Sequence, residues 1–230
     1  TALANHYRMP FPSGQTWGIS QSWCSNCGAC GTCSSTHCQS TMLYALDFNI
    51  AGTGDQARHV LAADQGIVVE VVNNVTCTNC TGWGNYVIID HQNGSFTRYA
   101  HMEYQSVQVS VGQYVCTGRY IGRCGSTGAA SGSHIHFQVQ HEQNGPAVSF
   151  TGFFETGGAI PVCGGPYTSQ NTEAGSAAAC FVASLQAQTQ DPPYTTWVQP
   201  GYDISCSVTY KNLGGATWEN GGGGVSNPQY

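Results

Sequence analysis

Short stretches that alternate apolar and polar residues run through most of this chain, and glycine-containing turns cut them apart. No long segment carries helical periodicity. Residues 44–50, 60–63, 67–72, 86–91, 95–102, 107–115, 120–122 and 132–140 each read as a strand. The sequence Gln92-Asn93-Gly94 between two of them is a hairpin signal. A chain built this way has one economical solution, an all-β or β-dominated fold in which neighbouring strands bury their apolar sides together.

Composition narrows the setting. Only 8% of residues are charged, lysine occurs once, and the net charge is −6, which argues against nucleic acid or anionic lipid as a partner. There is no run of 18 apolar residues, so no membrane-spanning helix is expected. No signal peptide stands at Thr1, as in a form already trimmed. Twelve cysteines and 30 glycines in a low-charge chain favour an oxidising compartment, structural disulfides and secretion. A monomer is expected.

Five of the cysteines crowd into residues 24–38, at Cys24, Cys27, Cys30, Cys33 and Cys38. The first four follow C-x2-C-x2-C-x2-C, which invites an iron–sulfur reading, but the last gap is one residue short of the ferredoxin pattern and no proline follows Cys33. A disulfide-stapled loop is expected, with its connectivity open. Composition also suggests the boundaries. Residues 1–165 read as the main domain, and 166–195 are linker-like, rich in Ser, Thr, Gln and Ala. Residues 196–230 alternate again in the manner of a partial immunoglobulin-like sandwich or of strands packed on the main body.

The chemistry concentrates in the stretch Gly132-Ser133-His134-Ile135-His136-Phe137-Gln138-Val139-Gln140. Ile135, Phe137 and Val139 share one face of this strand, and His134, His136, Gln138 and Gln140 share the other. Two imidazoles at this spacing, about 6–7 Å apart at Cα, can address one metal ion or one water. His37, Asp47 and His101 also stand in strand or glycine-rich settings. Two imidazoles and a carboxylate with an open position suit a catalytic zinc, and equally describe the facial triad of non-haem iron. His91 reads as a surface turn residue and His141 as solvated, while His6 and His59 are the alternatives to His37.

The order of motifs resembles one known family. Phe11-Pro12-Ser13-Gly14-Gln15-Thr16-Trp17, His37 followed by Tyr44-Ala45-Leu46-Asp47, Ala62-Ala63-Asp64-Gln65-Gly66, Gly84-Asn85-Tyr86-Val87-Ile88-Ile89-Asp90-His91, Thr97-Arg98-Tyr99-Ala100-His101 and Gly125-Ser126-Thr127-Gly128 leading into His134-Ile135-His136-Phe137 together resemble the M23 zinc metallopeptidases of the lysostaphin, LasA and LytM type, over about residues 10–150. The resemblance implies a compact antiparallel β-fold and Zn2+ bound by His37, Asp47 and His136. It also implies His134 and His101 as the catalytic pair that handles the attacking water and the oxyanion. The sequence departs from the family's common His-x3-Asp spacing, because Leu43 stands four residues before Asp47. The implied activity is hydrolysis of peptide bonds in peptidoglycan cross-bridges or glycine-rich proteins. The family also includes non-catalytic zinc-binding modules that act as activators. Tyr44, Trp83, Tyr99 and Tyr104 are candidate walls of the substrate groove, although any of them could equally belong to the core.

Overall fold

The computed structural model describes residues 7–22, 37, 41–50 and 54–174. All belong to the first of two units into which the chain divides, Thr1–Thr196 and Trp197–Tyr230. The cysteine cluster at 24–38, the alternative ligand His6, and the expected linker and strands beyond 174 lie outside the described residues.

Ten strands carry the fold: β1 (Thr16–Gln21), β2 (Leu46–Asn49), β3 (His59–Leu61), β4 (Gly66–Val72), β5 (Asn85–Asp90), β6 (Phe96–Met102), β7 (Tyr114–Val115), β8 (Tyr120–Arg123), β9 (Ile135–Gln140) and β10 (Gly164–Thr168). Eight form one sheet in the order β10-β1-β2-β9-β6-β5-β4-β7, and β3 pairs with β8 in a second, two-stranded sheet. Every pairing between these strands is antiparallel. Among the described residues there is no α-helix, and a 3-10 turn stands at Phe154–Thr156. The β-dominated antiparallel fold expected from the alternation is the one observed.

Strand β9 sits near the middle of the large sheet and is buried on both sides. One side is core. Phe137 meets the rings of Tyr7, Phe48, Tyr99, Phe150 and Phe153 with centroids 5.3–6.5 Å away, mostly edge to face, as ring quadrupoles prefer. Phe11 stacks on Trp17 at 4.8 Å beside them. Tyr7 and Phe11 come from the chain's start and Phe150 and Phe153 from after β9, so segments distant in sequence close one core.

Residues 166–174, the described part of the segment 166–195 expected to be linker-like, make regular contacts: β10 pairs with β1, and residues 169–174 are fastened to the body. Ser169 donates from Oγ to the Phe11 carbonyl at 2.6 Å. Asn171 donates from Nδ2 to the carbonyls of Met9 and Ala62 at 2.9 and 3.1 Å. Polar residues that composition reads as solvent-seeking here satisfy buried backbone acceptors. His91, expected at the surface, is buried, with Nδ1 donating to the Gln65 carbonyl at 2.7 Å and Nε2 2.9 Å from the Thr97 hydroxyl. Both ring nitrogens are spent on structure.

Candidate metal centre

Register builds the site. Asp47 on β2 lies directly across from His136 on β9, and Ala100 on β6 flanks His136 from the other side. The small Ala100 side chain leaves the space above the sheet to the imidazoles. Asp47 Oδ1 is approached by three of them: His136 Nδ1 at 2.9 Å, His37 Nε2 at 3.3 Å and His134 Nε2 at 3.6 Å. Its other oxygen accepts a hydrogen bond from Gln21 Nε2 on β1 at 2.9 Å. Gln21 was not among the residues singled out from the sequence, and no motif marks it.

His101 arrives by breaking a rule. Strict alternation along β6 puts it on the core side with Thr97 and Tyr99. Its φ of +63° instead turns the side chain out of that pattern, at the point where the β5–β6 register shifts. Its ring lies 4.8 Å from His134 and 5.8 Å from His136. A left-handed backbone at a non-glycine residue is uncommon and concentrates at functional sites. The loop at 125–132 holds the ring: His101 Nδ1 donates to the Thr127 carbonyl at 2.8 Å. That loop packs tightly against residues 82–85, where Gly84 (φ +64°) and Gly128 (φ +79°) face each other and a Cβ on either would overlap the opposing backbone.

The tautomers follow from these partners, since a carbonyl oxygen only accepts. His101 carries its proton on Nδ1, and so does His134, whose Nδ1 lies 3.0 Å from the Gly132 carbonyl. Each neutral ring therefore has its lone pair on Nε2, and for His134 that atom faces Asp47. Burial first, then the neighbouring His136 and His134, pushes the His101 pKa down to about 3. Burial, against the pull of Asp47, takes His37 down to about 4. Burial alone would raise the Asp47 pKa, but the close contact with His136 and the nearby imidazoles outweigh it and hold it well below the usual carboxylate range.

His37, Asp47 and His136 each offer one ligand atom, all within 4.8 Å of one another and all buried. This donor set fits a divalent ion. Zinc bonds of about 2.0–2.2 Å to nitrogen and oxygen give ligand separations close to the 2.9 and 3.3 Å seen at Asp47 Oδ1. Among the described residues, this is the one group of His, Cys, Asp or Glu so arranged. His59 stands elsewhere, paired with Glu173 at 2.9 Å, and His141 is exposed.

Above the group opens a cleft of about 290 Å3, lined by Gln21, Thr41, Met42, Gly82, Trp83, Ala129, Ser131 and the five His and Asp side chains. Of the four aromatic candidates, Trp83 lines it, with its ring 5.0 Å from His136 and the Arg98 guanidinium 4.5 Å from its centroid. Tyr99 is instead in the core, its hydroxyl accepting from the Ala63 amide at 2.7 Å. Tyr44 and Tyr104 are not among the lining residues.

Fold and site together define a class: an antiparallel β-sheet domain whose central strands carry a His/Asp group able to hold a metal ion, with two further imidazoles beside it. Residues 42–149 match the model of Peptidase family M23, and this stretch is a peptidase family M23 domain. Among curated proteins, the chain is similar to the peptidoglycan DD-endopeptidase ShyA of Vibrio cholerae, at 36% identity over 80 residues, 35% of this chain and 17% of that protein. It is also similar to the uncharacterized lipoprotein YgeR of Escherichia coli, at 34% identity over 104 residues, 45% of this chain and 38% of that one. The match thus spans well under half the length of either relative. Among solved structures it is similar to pseudoalterin, an M23 metalloprotease from the deep sea, at 26% identity and a TM-score of 0.42 over 65% of this chain and 77% of that one.

Proposed function

We propose that the chain is a secreted zinc endopeptidase acting on peptidoglycan cross-bridges or glycine-rich peptides. One observation carries the reading: His101 and His134, both with the lone pair on Nε2, stand beside the His37–Asp47–His136 group in one cleft. His37, Asp47 and His136 would hold the zinc. When bound, zinc supplies Lewis acidity, lowering the pKa of water from 15.7 to about 7 and polarising the scissile carbonyl.

The imidazoles do the proton work. As the water oxygen bonds to the carbonyl carbon, one of the two neutral rings takes the water's proton on Nε2. It delivers that proton to the nitrogen that leaves as the C–N bond breaks. Until it passes that proton on, the protonated ring is the donor that steadies the developing oxyanion, while the other ring, its Nε2 still a lone pair, accepts from the attacking water and orients it. Positioned acid–base help of this kind contributes about 10²–10⁴-fold, and a directed donor at the oxyanion adds to it.

The cleft supports the substrate class. Apart from the His and Asp side chains, its walls are uncharged, and Gly82 and Ala129 let a peptide backbone of small residues come close. The disulfide Cys77–Cys80 and the oxidised state of Cys116 and Cys163 support an oxidising, extracytoplasmic location. No helix among the described residues is long and apolar enough to cross a membrane.

The test is incubation with wall material of different cross-bridge types, followed by mass analysis of new peptide termini. H101A and H134A are each expected to abolish cleavage while bound zinc stays near one per chain. Cleavage that survives both substitutions would overturn the assignment. Iron in place of zinc, with oxygen consumption, would instead favour the oxygenase chemistry that the same ligand set can support.

A further inference from the structure

The polar face of β9 does not end at His136. His136 Nε2 lies 3.0 Å from Gln138 Oε1, and Gln138 Nε2 donates to Gln140 Oε1 at 2.6 Å. Gln140 Nε2 donates in turn to the backbone carbonyls of Glu142, at 2.9 Å, and of Gln143. All three side chains are buried, so none of these groups can trade its partner for bulk water.

The direction of this ladder is forced from its far end. Two backbone carbonyls accept and cannot donate, so the atom that Gln140 turns to them is its amide nitrogen. Its oxygen must then face Gln138, which answers with its own nitrogen and turns its oxygen to His136. An amide oxygen needs a donor, so His136 carries a proton on Nε2. In the neutral ring this leaves the lone pair on Nδ1, the atom 2.9 Å from Asp47 Oδ1. Two lone pairs at that separation repel unless a cation lies beside them both.

Resting on the metal-centre reading above, we infer that Gln138, locked by Gln140 and the turn carbonyls of Glu142 and Gln143, is a positioning residue that fixes His136 in the tautomer with Nδ1 free for the metal. Without it, the His136 proton moves to Nδ1, hydrogen-bonds Asp47 and occupies both ligand atoms at once. Partners behind a ligating histidine set tautomer and basicity in this way, and losing one costs about 10–100-fold in metal affinity.

The experiment compares the full chain with Q138L and Q138E, stripped with a chelator and titrated with zinc against a competing fluorescent chelator. Thermal unfolding of each metal-free protein is measured alongside. Q138L removes the acceptor and is expected to bind zinc about 10–100-fold more weakly. Q138E keeps an acceptor for His136 but opposes the Gln140 oxygen with a carboxylate. It is expected to lose stability yet bind zinc within a few-fold of the parent. An affinity order that simply tracks stability, or a Q138L protein that holds zinc as tightly as the parent, would overturn the inference.

Nitrogen-15 spectra of the zinc-loaded parent give a reading that needs no variant. A proton on His136 Nε2 is expected, and a proton on Nδ1 would overturn the inference. Zinc uptake without peptide cleavage would sink the peptidase reading alone, and the affinity order would still decide the role of Gln138. A parent that takes up no zinc would sink both.

Discussion

His37, His91 and His101 are kept neutral by burial, and each takes a proton less readily than a free imidazole. In the unfolded chain all three protonate near pH 6.5. In the fold His37 and His101 do so only near 4 and 3. Between those values the unfolded state binds more protons, so stability falls as the pH drops below about 6.5, by up to about 1.4 kcal/mol per pH unit from each group. Urea midpoints of the metal-free protein are therefore expected to fall steadily from pH 7 to pH 4.5. H91F should flatten that slope while lowering the plateau, because it removes one titrating group together with its two hydrogen bonds. A slope unchanged by H91F would refute the role given to His91. At this scale the sequence was legible where a residue belonged to a motif and illegible where burial decided. The motif order marked out His134, His136 and Asp47, but nothing local distinguished His91 in its turn from a solvated histidine. Tyr99 and Trp83 looked alike as aromatic residues in glycine-rich or strand settings. Only the pairing of β6 with β5 and β9 sends Tyr99 to the core.

The elements show how loops hold what strands cannot. The Cys77–Cys80 turn bonds to the loop at 125–132 twice, from Cys80 N–H to the Gly128 carbonyl and from Gly128 N–H to the Cys77 carbonyl, at 2.8 and 2.9 Å. The same loop supplies the Thr127 carbonyl that sets the tautomer of His101. The double variant C77S/C80S is expected to lower kcat about 10-fold or more, since small misplacements of a catalytic group are expensive, while zinc content and the global unfolding midpoint change little. Steady-state kinetics with a zinc assay checks it; an unchanged kcat would uncouple the turn from His101. Strand positions were readable from the alternating and apolar runs, and β2, β4, β5, β6 and β9 lie inside them to within a residue. The departure at His101 was not readable, because a single left-handed residue leaves no trace in a pattern of apolar and polar letters. The ten positions separating His37 from Asp47 were equally silent about geometry, since His37 stands in none of the strands and obeys no strand period.

At the scale of the whole molecule, the recognisable peptidase stretch and the folded body differ in extent. The family match covers 42–149. The core also needs Tyr7, Met9, Phe11 and Trp17 before it and Phe150 and Phe153 after it, and β1 brings Gln21 to Asp47. A chain cut to 42–149 would leave the Phe137 and Phe48 rings facing water where fully buried aromatic side chains now stand, each burial worth about 1.5–3 kcal/mol. It is expected to be insoluble or unfolded by circular dichroism, whereas a chain running through residue 174 keeps β10 and the Asn171 clamp. F137A in the intact chain should cost about 3–5 kcal/mol, read as a shift in urea midpoint, and should weaken zinc binding too, because its neighbour on the strand is His136. Midpoint loss with unchanged zinc affinity would mean that the two sides of β9 are independent.

That two-sided strand also limits what re-engineering can reach. Ile135, Phe137 and Val139 are committed to the core, and His136, Gln138 and Gln140 to the site and its amide ladder, so β9 offers no blank position on which to write a new property. Retuning what the cleft accepts has to begin at its rim, at Thr41, Met42 and Ser131, where a side chain can change without being answered for on the other side of the sheet.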